Sequence, residues 1–451
     1  MPSVLHLKPQ EIDAVEKRGN YNVCIVGCRQ IGLMYAIMFL EAGFKVTCVD
    51  ADQSLVRNLV KGKTGFINRE LETKLKIYVN SGSLTVTSDL RTSIAQADVI
   101  VLSITMKINE KKRFDASEIE TVLKQIGEVM KQEKLILYTG VAELGFMEGV
   151  VKERLESSSG FIAGKNFGLA YIQKSINKNE ATNETIRKQE FMISANDDIS
   201  LDAAALILST ITERLKLVKN LKLAELASLF SLVIKDVSKA LGNEFAILCE
   251  NTKVDYLEVL KLLSLELKEM GYIPGINEEE NKLGASLLLE SAEKLGIKLR
   301  LLESARHIND DIIKHVINLT QNTLRACGKT LRRSRIAVLA SMEAGTAGEM
   351  FVKMLETKGA RINLYDARSR KNESPNVTCI SKRSITEAIE NSDCIVVLTR
   401  EEQFKDWNLK NLRSVMRTPA VIVDVAGSFE PKEVEREGFI YRRLGRGFEE
   451  I

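Results

Sequence analysis

A glycine-rich turn near residue 27 is the part of the sequence best suited to hold a cofactor. The apolar run 23–27 ends on Gly27, a helical pattern with Gly32 near its start follows, and the next apolar run, 45–50, ends on Asp50. In a nucleotide-binding βαβ unit the first glycine makes a tight turn, a later one lets helix and strand pack, and an acid about 20 residues on binds the ribose hydroxyls. Because Asp50 would repel a 2′-phosphate, these residues predict NAD in preference to NADP.

One position of this turn departs from the pattern. Arg29 stands where a second glycine would let the phosphates of the cofactor approach the backbone. Its long side chain could obstruct the phosphates, or it could turn outward and pair with one through its guanidinium group. Two hypotheses stay open: the chain binds NAD through Gly27, Arg29, Gly32 and Asp50, or it keeps a nucleotide-binding fold that has lost its ligand.

The cysteines and histidines show no spacing typical of a metal site. The three histidines are isolated, and no CxxC pair occurs. We therefore predict no metal site and reduced thiols within the apolar core. The cysteines concerned are Cys24, Cys28, Cys48, Cys249, Cys327, Cys379 and Cys394.

The elements around the turn repeat a strand and helix alternation. Short β-branched runs at 23–27, 45–50, 99–104 and 135–140 alternate with helical patterns, which is typical of parallel strands joined by right-handed crossovers. The same alternation returns after residue 330. The sequence therefore predicts an α/β protein with two doubly wound domains.

The stretch between these domains has a helical period. Leu, Ala, Glu and Lys dominate it, with apolar residues three and four positions apart. Long helices with two apolar faces favour self-association, although packing within one chain remains an alternative. The predicted division is an N-terminal extension at 1–19, an α/β domain at 20–217, a helical domain at 218–328 and an α/β domain at 329–451.

The composition excludes several classes of protein. Among 451 residues, 64 Lys and Arg against 61 Asp and Glu leave a formal net charge of +3, too small for binding nucleic acid by charge alone. With 45% hydrophobic and 28% charged residues, the chain can bury a sizeable core. No apolar run has the length of a signal peptide or a membrane span, so we expect no membrane partner and a cytoplasmic protein.

Several further motifs resemble one enzyme family. The glycine-rich turn is followed by TSDLRTSIAQADVIVLS at 87–103, a central helix containing AELASLFSLVIKDVSKALGNEFAILCEN at 224–251, and LLESARHIND at 301–310. The chain closes with GFIYRRLGRG at 438–447. In this order the motifs resemble the UDP-glucose/GDP-mannose dehydrogenase family, most closely its UDP-N-acetyl-mannosamine branch. The resemblance implies a Rossmann domain that binds NAD, a helical dimerisation domain and a C-terminal Rossmann-like domain that binds a nucleotide-sugar.

The reaction centre implied by the resemblance is altered. Members of that family oxidise the 6-hydroxyl of the sugar to a carboxylate with two NAD, through a thiohemiacetal on a cysteine. Aligned with the family motifs, Glu280 stands at the cysteine, Ser228 at the catalytic lysine and Lys174 at the catalytic glutamate. No cysteine lies anywhere in 250–326, so the missing nucleophile does not depend on the alignment register.

Neighbouring positions of the same motifs also differ. Leu283 and Gly284 replace the lysine and aspartate that follow the cysteine, and Leu232 replaces an asparagine on the central helix. Ala426 stands at the arginine of a DxR pair that begins at Asp424, and two loops have lost their prolines. The scaffold motifs are therefore kept, whereas the residues of the reaction centre are not.

Three hypotheses follow from this contrast. The first is a non-catalytic binding or regulatory relative that assembles as a homodimer or as a hetero-oligomer with an active paralogue. The second is an NAD-dependent oxidoreductase with altered chemistry on a nucleotide-sugar in polysaccharide-precursor metabolism. In that case Lys174 and Glu280 could form a new acid/base pair, or only a salt bridge that fills an emptied pocket. The third, an ordinary UDP-sugar 6-dehydrogenase, conflicts with the residues present.

Overall fold

The computed structural model describes most of the chain and divides it into two units. Described are residues 3–64, 69–104, 107–108, 114–174, 190–263, 273–276, 279–340, 347–366, 379–382, 384–399 and 407–447, without the side chains of 69–71, 107–108, 114, 174 and 279. The first unit comprises Met1–Ser231 with Ser286–Gly296, and the second comprises Leu232–Ala285 with Ile297–Ile451.

The first unit is built on an eight-stranded sheet with the order β10-β9-β8-β7-β4-β1-β2-β3. Neighbouring strands are parallel except β8 and β9. The strands are β1 Asn22–Val26, β2 Lys45–Val49, β3 Leu84–Thr87, β4 Val99–Leu102, β7 Leu135–Tyr138, β8 Gly168–Lys174, β9 Glu190–Ala195 and β10 Arg214–Val218; β5 Lys107–Ile108 and β6 Phe114–Asp115 form a separate antiparallel pair.

Helices cover this sheet because its central strands are apolar on both faces. All four residues of β4 and of β7 are buried, and α2 buries nine of its twelve residues. The helices are α1 Val15–Arg18, α2 Gln30–Glu41, α3 Gln53–Val60, α4 Arg69–Asn80, α5 Leu90–Gln96, α6 Ser117–Val129, α7 Glu153–Ser159 and α8 Asp198–Leu208, with a π-helix at Met147–Lys152. The strand order reverses between β1 and β4, which is where doubly wound folds bind ligands.

The segment predicted as an N-terminal extension packs into the first unit. Val4 and Ile12 are each only 2% exposed. Arg18 donates hydrogen bonds to the carbonyl oxygens of Ile12 and Ala42. These residues therefore contribute to the core of the first α/β layer, whereas the division into three domains remains a prediction.

The second unit contains a six-stranded parallel sheet with the order β13-β12-β11-β14-β15-β16. Its strands are β11 Arg335–Leu339, β12 Arg361–Tyr365, β13 Ile380–Ser381, β14 Cys394–Val397, β15 Val421–Asp424 and β16 Ile440–Arg443. Its helices are α10 Tyr256–Leu262, α12 Arg300–Ala326, α13 Ala347–Thr357, α14 Ile385–Ile389, α15 Leu409–Val415 and α16 Pro431–Arg436. Two further helices have residues assigned to both units: α9 Leu221–Thr252 and α11 Glu279–Lys294.

This architecture confirms the predicted fold class, two parallel α/β sheets with a helical central region. The predicted strands agree with the observed ones to within one or two residues at each end. Of the described helices, none combines the length and apolar character that crossing a bilayer requires. Within the described residues all seven cysteines are free thiols, four of them buried and three partly exposed.

Candidate dinucleotide site and reaction centre

The turn after β1 requires glycine at two positions. Gly27 has a φ of +91°, and a Cβ atom there would lie 2.5 Å from the carbonyl oxygen of Ser103. A Cβ atom at Gly32 would lie 1.9 Å from the carbonyl oxygen of Gly27. Backbone atoms cannot move aside as a flexible side chain can, so strand, turn and helix α2 pack this closely only with glycine at both positions.

Asp50 lies beside this turn, directly after β2. The backbone N–H of Cys28 donates to its Oδ2 atom at 2.8 Å, and the N–H of Asp52 donates to its Oδ1 atom at 2.9 Å. An ionised carboxylate has about four acceptor sites, so two remain for further donors. The partly exposed carboxylate therefore suits the two hydroxyls of a ribose.

Arg29 does not fill the turn. Its backbone is extended, with φ −77° and ψ −167°, so the position does not demand glycine. Arg29 is the N-cap of α2, makes no side-chain capping bond and is exposed. Its charge contributes to the lowered pKa of Asp52, after larger contributions from the hydrogen bonds that Asp52 accepts. This geometry favours a side chain directed outward over one that obstructs the phosphates.

These residues fit NAD. The first backbone N–H groups of α2 and the positive end of its dipole lie next to Gly27, a position suited to a pyrophosphate. Asp50 lies on the ribose side, and Arg29 adds a cation at the helix start. The structure thus brings together all four predicted residues, Gly27, Arg29, Gly32 and Asp50, at the carboxyl edge of the first sheet.

Ser228, where the resemblance implies a catalytic lysine, belongs to a neutral hydrogen-bonded contact between α9 and β8. Ser228 is 3% exposed and Tyr171 is 1% exposed. Burial raises the pKa of Tyr171, and hydrogen bonds from Ser228 and from the backbone of Ala142 oppose that rise. One turn further along α9, Ser231 accepts a hydrogen bond from the side-chain nitrogen of Gln173 at 3.2 Å. Among the described side chains of this contact, none carries a positive charge.

A second altered pair lies in the second unit, where α9 meets α11. Gly284 is inside helix α11, and a Cβ atom there would lie 2.6 Å from the Cβ atom of Leu232. The resemblance places an aspartate and an asparagine at these two positions. Here a small residue makes room for a larger apolar one, so the two polar side chains are replaced by one complementary apolar contact.

The loop that resembles the family's cysteine loop is hydrogen-bonded to helix α9 at its start. The backbone N–H of Gly275 donates to Oδ1 of Asn243 at 2.7 Å, and Nδ2 of Asn243 donates to the Gly275 carbonyl at 3.2 Å. Asn243 is fully buried and also donates to Oδ1 of Asn309 at 3.0 Å. The start of this loop is thus fixed. Further along the chain, Glu280 is a partly exposed residue in the first turn of α11, and Leu283 is buried.

The carboxyl end of β15 lacks the arginine implied at Ala426. Asp424 is fully buried, and its Oδ2 accepts hydrogen bonds from the Tyr441 hydroxyl at 2.9 Å and from the Phe429 N–H at 3.0 Å. Burial raises the pKa of Asp424. Arg443, on the neighbouring strand, pairs with Asp255. Asp424 thus stabilises the turn after β15.

The proposed pair of Lys174 and Glu280 remains a prediction. The side chain of Lys174 lies outside the described residues, and the two positions belong to different units. Among the described residues, no group of three His, Cys, Asp or Glu side chains is arranged to hold a metal ion.

Comparison with known proteins then decides the family. Residues 21–212 match the NAD binding domain of the UDP-glucose/GDP-mannose dehydrogenase family, and residues 346–431 match its UDP binding domain. The chain belongs to this family. The site at Gly27 and Asp50 therefore lies in the family's NAD-binding domain, as the glycine-rich turn predicts.

Similar proteins span the whole chain. A UDP-N-acetyl-D-mannosamine dehydrogenase of Pyrococcus horikoshii is 24% identical over 434 residues, covering 94% of this chain and 99% of the relative. A UDP-glucose 6-dehydrogenase of Rhizobium meliloti is 22% identical, covering 94% of this chain and 99% of the relative. Relatives of the UDP-N-acetyl-mannosamine branch are thus among those it matches, as predicted.

Solved structures agree on the fold. The UDP-D-ManNAc dehydrogenase of Pyrococcus horikoshii has a TM-score of 0.78 at 22% identity, covering 94% of this chain and 99% of the other. A UDP-glucose dehydrogenase of Pyrobaculum islandicum has a TM-score of 0.77 at 18% identity, covering 95% and 98%. At this level of identity the likeness concerns the fold alone.

Two features of the family site could not be assigned from sequence. The contact between Leu232 and Gly284 joins residues on different helices, so their complementarity is visible only in three dimensions. Glu225 carried no assigned role, yet it is fully buried and accepts two backbone hydrogen bonds. Its sequence signal is its place in the Ala224-Glu225-Leu226 motif at the start of the central helix.

Proposed function

We propose that this chain binds NAD and a nucleotide-sugar on the family's scaffold but does not oxidise the sugar 6-hydroxyl to a carboxylate. It acts instead as a binding or regulatory relative. The observation that carries this proposal is the environment of Ser228. The position where the resemblance implies a lysine holds a buried hydroxyl that is hydrogen-bonded to Tyr171.

The chemistry of the remaining positions supports the same proposal. A carboxylate such as that of Glu280 cannot form a thiohemiacetal, since that intermediate requires a thiolate sulfur. A neutral serine cannot supply the charge that stabilises a developing oxyanion, and losing one such donor typically costs about 10²–10³ in kcat. The contact of Leu232 with Gly284 removes two more polar groups.

In this proposal the NAD-binding residues keep their roles. The N-terminal amides of α2 and the Arg29 guanidinium bind the pyrophosphate, Asp50 binds the ribose and Gly27 lets the backbone approach. Bound NAD supplies a hydride acceptor. The altered positions leave this half of the fold intact, so affinity for the cofactor is expected without turnover.

A second candidate is a two-electron oxidation of an alcohol, which needs NAD and a base but no cysteine. The partial exposure of Glu280 in the first turn of α11 favours it, because an accessible carboxylate can accept a proton. This reaction would release one NADH per substrate, whereas oxidation to a carboxylate releases two.

The decisive experiment follows the absorbance of NADH. Purified protein is incubated with NAD and a panel of UDP- and GDP-sugars that includes UDP-N-acetyl-mannosamine. We expect no NADH, together with a higher melting temperature in the presence of NAD, since a ligand that binds only the folded state stabilises it. One NADH per sugar would support the second candidate, and two would overturn both proposals.

The exposed face of α9 supports assembly as a homodimer or with an active paralogue. Five large apolar side chains are 45% to 64% exposed: Leu223, Phe230, Ile234, Phe245 and Leu248. They are separated by seven, four, eleven and three positions, so they form one stripe along a single side of the helix. Light scattering of wild type and of Phe230→Glu tests this, with a dimer expected for the wild type and weaker association for the variant.

A further inference from the structure

Glu225 is a buried ionisable group to which the proposed function gives no role. It lies on α9 within the first unit and is fully buried, and burial raises the pKa of its carboxyl group. A carboxylate out of contact with water is costly unless donors surround it. The identity of its donors therefore indicates what the residue does.

Both donors belong to the segment that follows β7. The backbone N–H of Gly145 donates to Oε2 of Glu225 at 2.6 Å, and the N–H of Met147 donates to Oε1 at 2.9 Å. These amides lie where the π-helix Met147–Lys152 begins. Glu225 thus caps this helix from a distant part of the chain, through charge-assisted hydrogen bonds that are stronger than neutral ones.

The segment 139–145 lies at the carboxyl edge of the first sheet. The hydroxyl of Thr139 donates to the carbonyl oxygen of Leu102, the last residue of β4, at 3.1 Å. Because the strand order reverses between β1 and β4, a dinucleotide lies across this point, with its adenosine half on the side of β2 and Asp50. By the same rule we expect the nicotinamide half over β4 and β7, next to 139–145.

A loop beside the cofactor must be held in one conformation, and loop 139–145 contains no proline that would restrict its backbone. Its second tether is an ion pair between Glu143 and Lys294, at 2.8 Å. That pair is weaker because the Lys294 side chain is 57% exposed. The buried carboxylate of Glu225 is therefore the stronger restraint on the loop.

We propose that Glu225 is a positioning residue that holds loop 139–145 in the shape that receives the nicotinamide half of NAD. The inference rests on the proposed NAD binding. It predicts a selective effect, since ADP-ribose contains the adenosine half and both phosphates but lacks nicotinamide. A residue with only a structural role would change the affinity for both ligands alike.

The test is isothermal titration of NAD and of ADP-ribose into the full chain. We expect Glu225→Gln to weaken NAD roughly five- to twentyfold, because an amide oxygen replaces only one of two charged acceptors. ADP-ribose should change less than twofold. The matched control is Glu148→Gln, the same change at a side chain that is 45% exposed on the π-helix, and it should alter neither affinity.

The outcomes separate this inference from the proposed function. Equal losses for both ligands, or no loss for either, would overturn the role of Glu225 while NAD binding stands. A wild type that binds NAD no more tightly than ADP-ribose would also overturn the role of Glu225. A wild type that binds neither ligand would overturn both that role and the proposed NAD binding. If Glu225→Gln does not fold, Glu225→Asp shortens the carboxylate but keeps its charge, and the same selectivity for NAD is required of it.

Discussion

The residues of the dinucleotide turn largely match the family pattern, whereas those at the positions that the resemblance assigns to the reaction centre do not. The turn keeps Gly27, Gly32 and Asp50 in working geometry. At the positions that the resemblance assigns to the reaction centre, the structure has the Ser228 hydroxyl beside Tyr171 and the contact of Leu232 with Gly284. The turn works largely through backbone shape, which the fold itself needs, whereas the reaction centre depends on side chains that folding does not require.

The replacements at the reaction centre are themselves well packed. Ser228 is hydrogen-bonded to Tyr171, and Leu232 occupies space that only a glycine at 284 leaves open. Loss of single groups at random would leave cavities or unpaired polar atoms, each of which costs stability. Ser228, Leu232 and Gly284 thus fit the surrounding interior, whereas the buried Oδ1 of Asp424 has no hydrogen-bond partner among the described residues.

The largest expected effect comes from a substitution in the dinucleotide turn. Gly32→Val places a Cβ atom 1.9 Å from the Gly27 carbonyl and forces turn and helix apart. We expect NAD affinity to fall more than about a hundredfold and the free energy of unfolding to fall by about 2–4 kcal/mol. Titration and urea unfolding measure the two effects. Gly149→Ala is the control, since no atom lies within 4 Å of its added Cβ, and retained NAD binding in Gly32→Val would break the comparison.

A double-mutant cycle tests the contact between Leu232 and Gly284. Gly284→Ala alone should destabilise the chain by about 1–3 kcal/mol, because its Cβ atom meets Leu232 at 2.6 Å. In a Leu232→Gly background, which removes the Leu232 Cβ atom as well, the same change should cost nothing or even stabilise, since alanine is favoured over glycine in a helix by about 1 kcal/mol. Urea unfolding of the four proteins gives the coupling. Additive effects would mean that the two residues do not share this space.

Arg29 lies in the dinucleotide turn but departs from the family pattern, so its substitution tests whether it assists or obstructs NAD binding. Arg29→Gly restores the family-like turn, but we expect it to weaken NAD roughly three- to tenfold through the loss of a phosphate contact. The salt dependence of binding should also decrease. Titration at two salt concentrations measures both effects. Tighter binding by Arg29→Gly would instead show that the arginine obstructs the phosphates.

The smallest effect concerns the pH dependence of stability. Burial raises the pKa of Glu225 above its ordinary value of 4.5, with the two backbone donors and Lys222 opposing the rise and Glu148 adding to it. Burial also raises the pKa of Tyr138 and of Tyr171, so both stay neutral in this range. Between 4.5 and the folded pKa the native state binds more protons than the unfolded state, so this contribution to stability falls as the pH rises.

The measurement is the difference in unfolding free energy between wild type and Glu225→Gln across that range. The difference should decline from pH 4.5 upward and then level off once Glu225 is ionised in both states. Glu258→Gln, at a side chain that is 65% exposed and does not act on Glu225, serves as the reference for an exposed carboxylate. A difference that grows with pH would mean that the carboxylate is stabilised, rather than strained, by its surroundings.

Local patterns predicted most of the first region. The runs at 23–27 and 45–50 correspond to strands β1 and β2; β1 buries four of its five residues, and in β2 Lys45 is exposed and Thr47 partly exposed. The order of strand, turn, helix and acid fixed the position of Asp50 beside the turn. The antiparallel pairing of β8 with β9 was not predicted, since the sequence of either strand does not specify its neighbour.

Contacts between distant residues account for what the sequence did not predict. Spacing along the chain could assign Ser228 and Glu280 to family positions, but it could not show that Ser228 is hydrogen-bonded to Tyr171. The same holds for Glu225, whose donors lie about 80 residues earlier in the chain. Burial of a charged group on an apolar helix face is the one signal that would have singled it out.

The number of NADH released per sugar shows directly whether this chain oxidises the sugar 6-hydroxyl to a carboxylate. Homogeneous protein is given NAD and UDP-N-acetyl-mannosamine, UDP-glucose or GDP-mannose, and the product is examined for a uronic acid. We expect no NADH and no uronate, because Glu280 and Ser228 stand where the resemblance implies a cysteine and a lysine. Two NADH per sugar with a uronic acid product would contradict it.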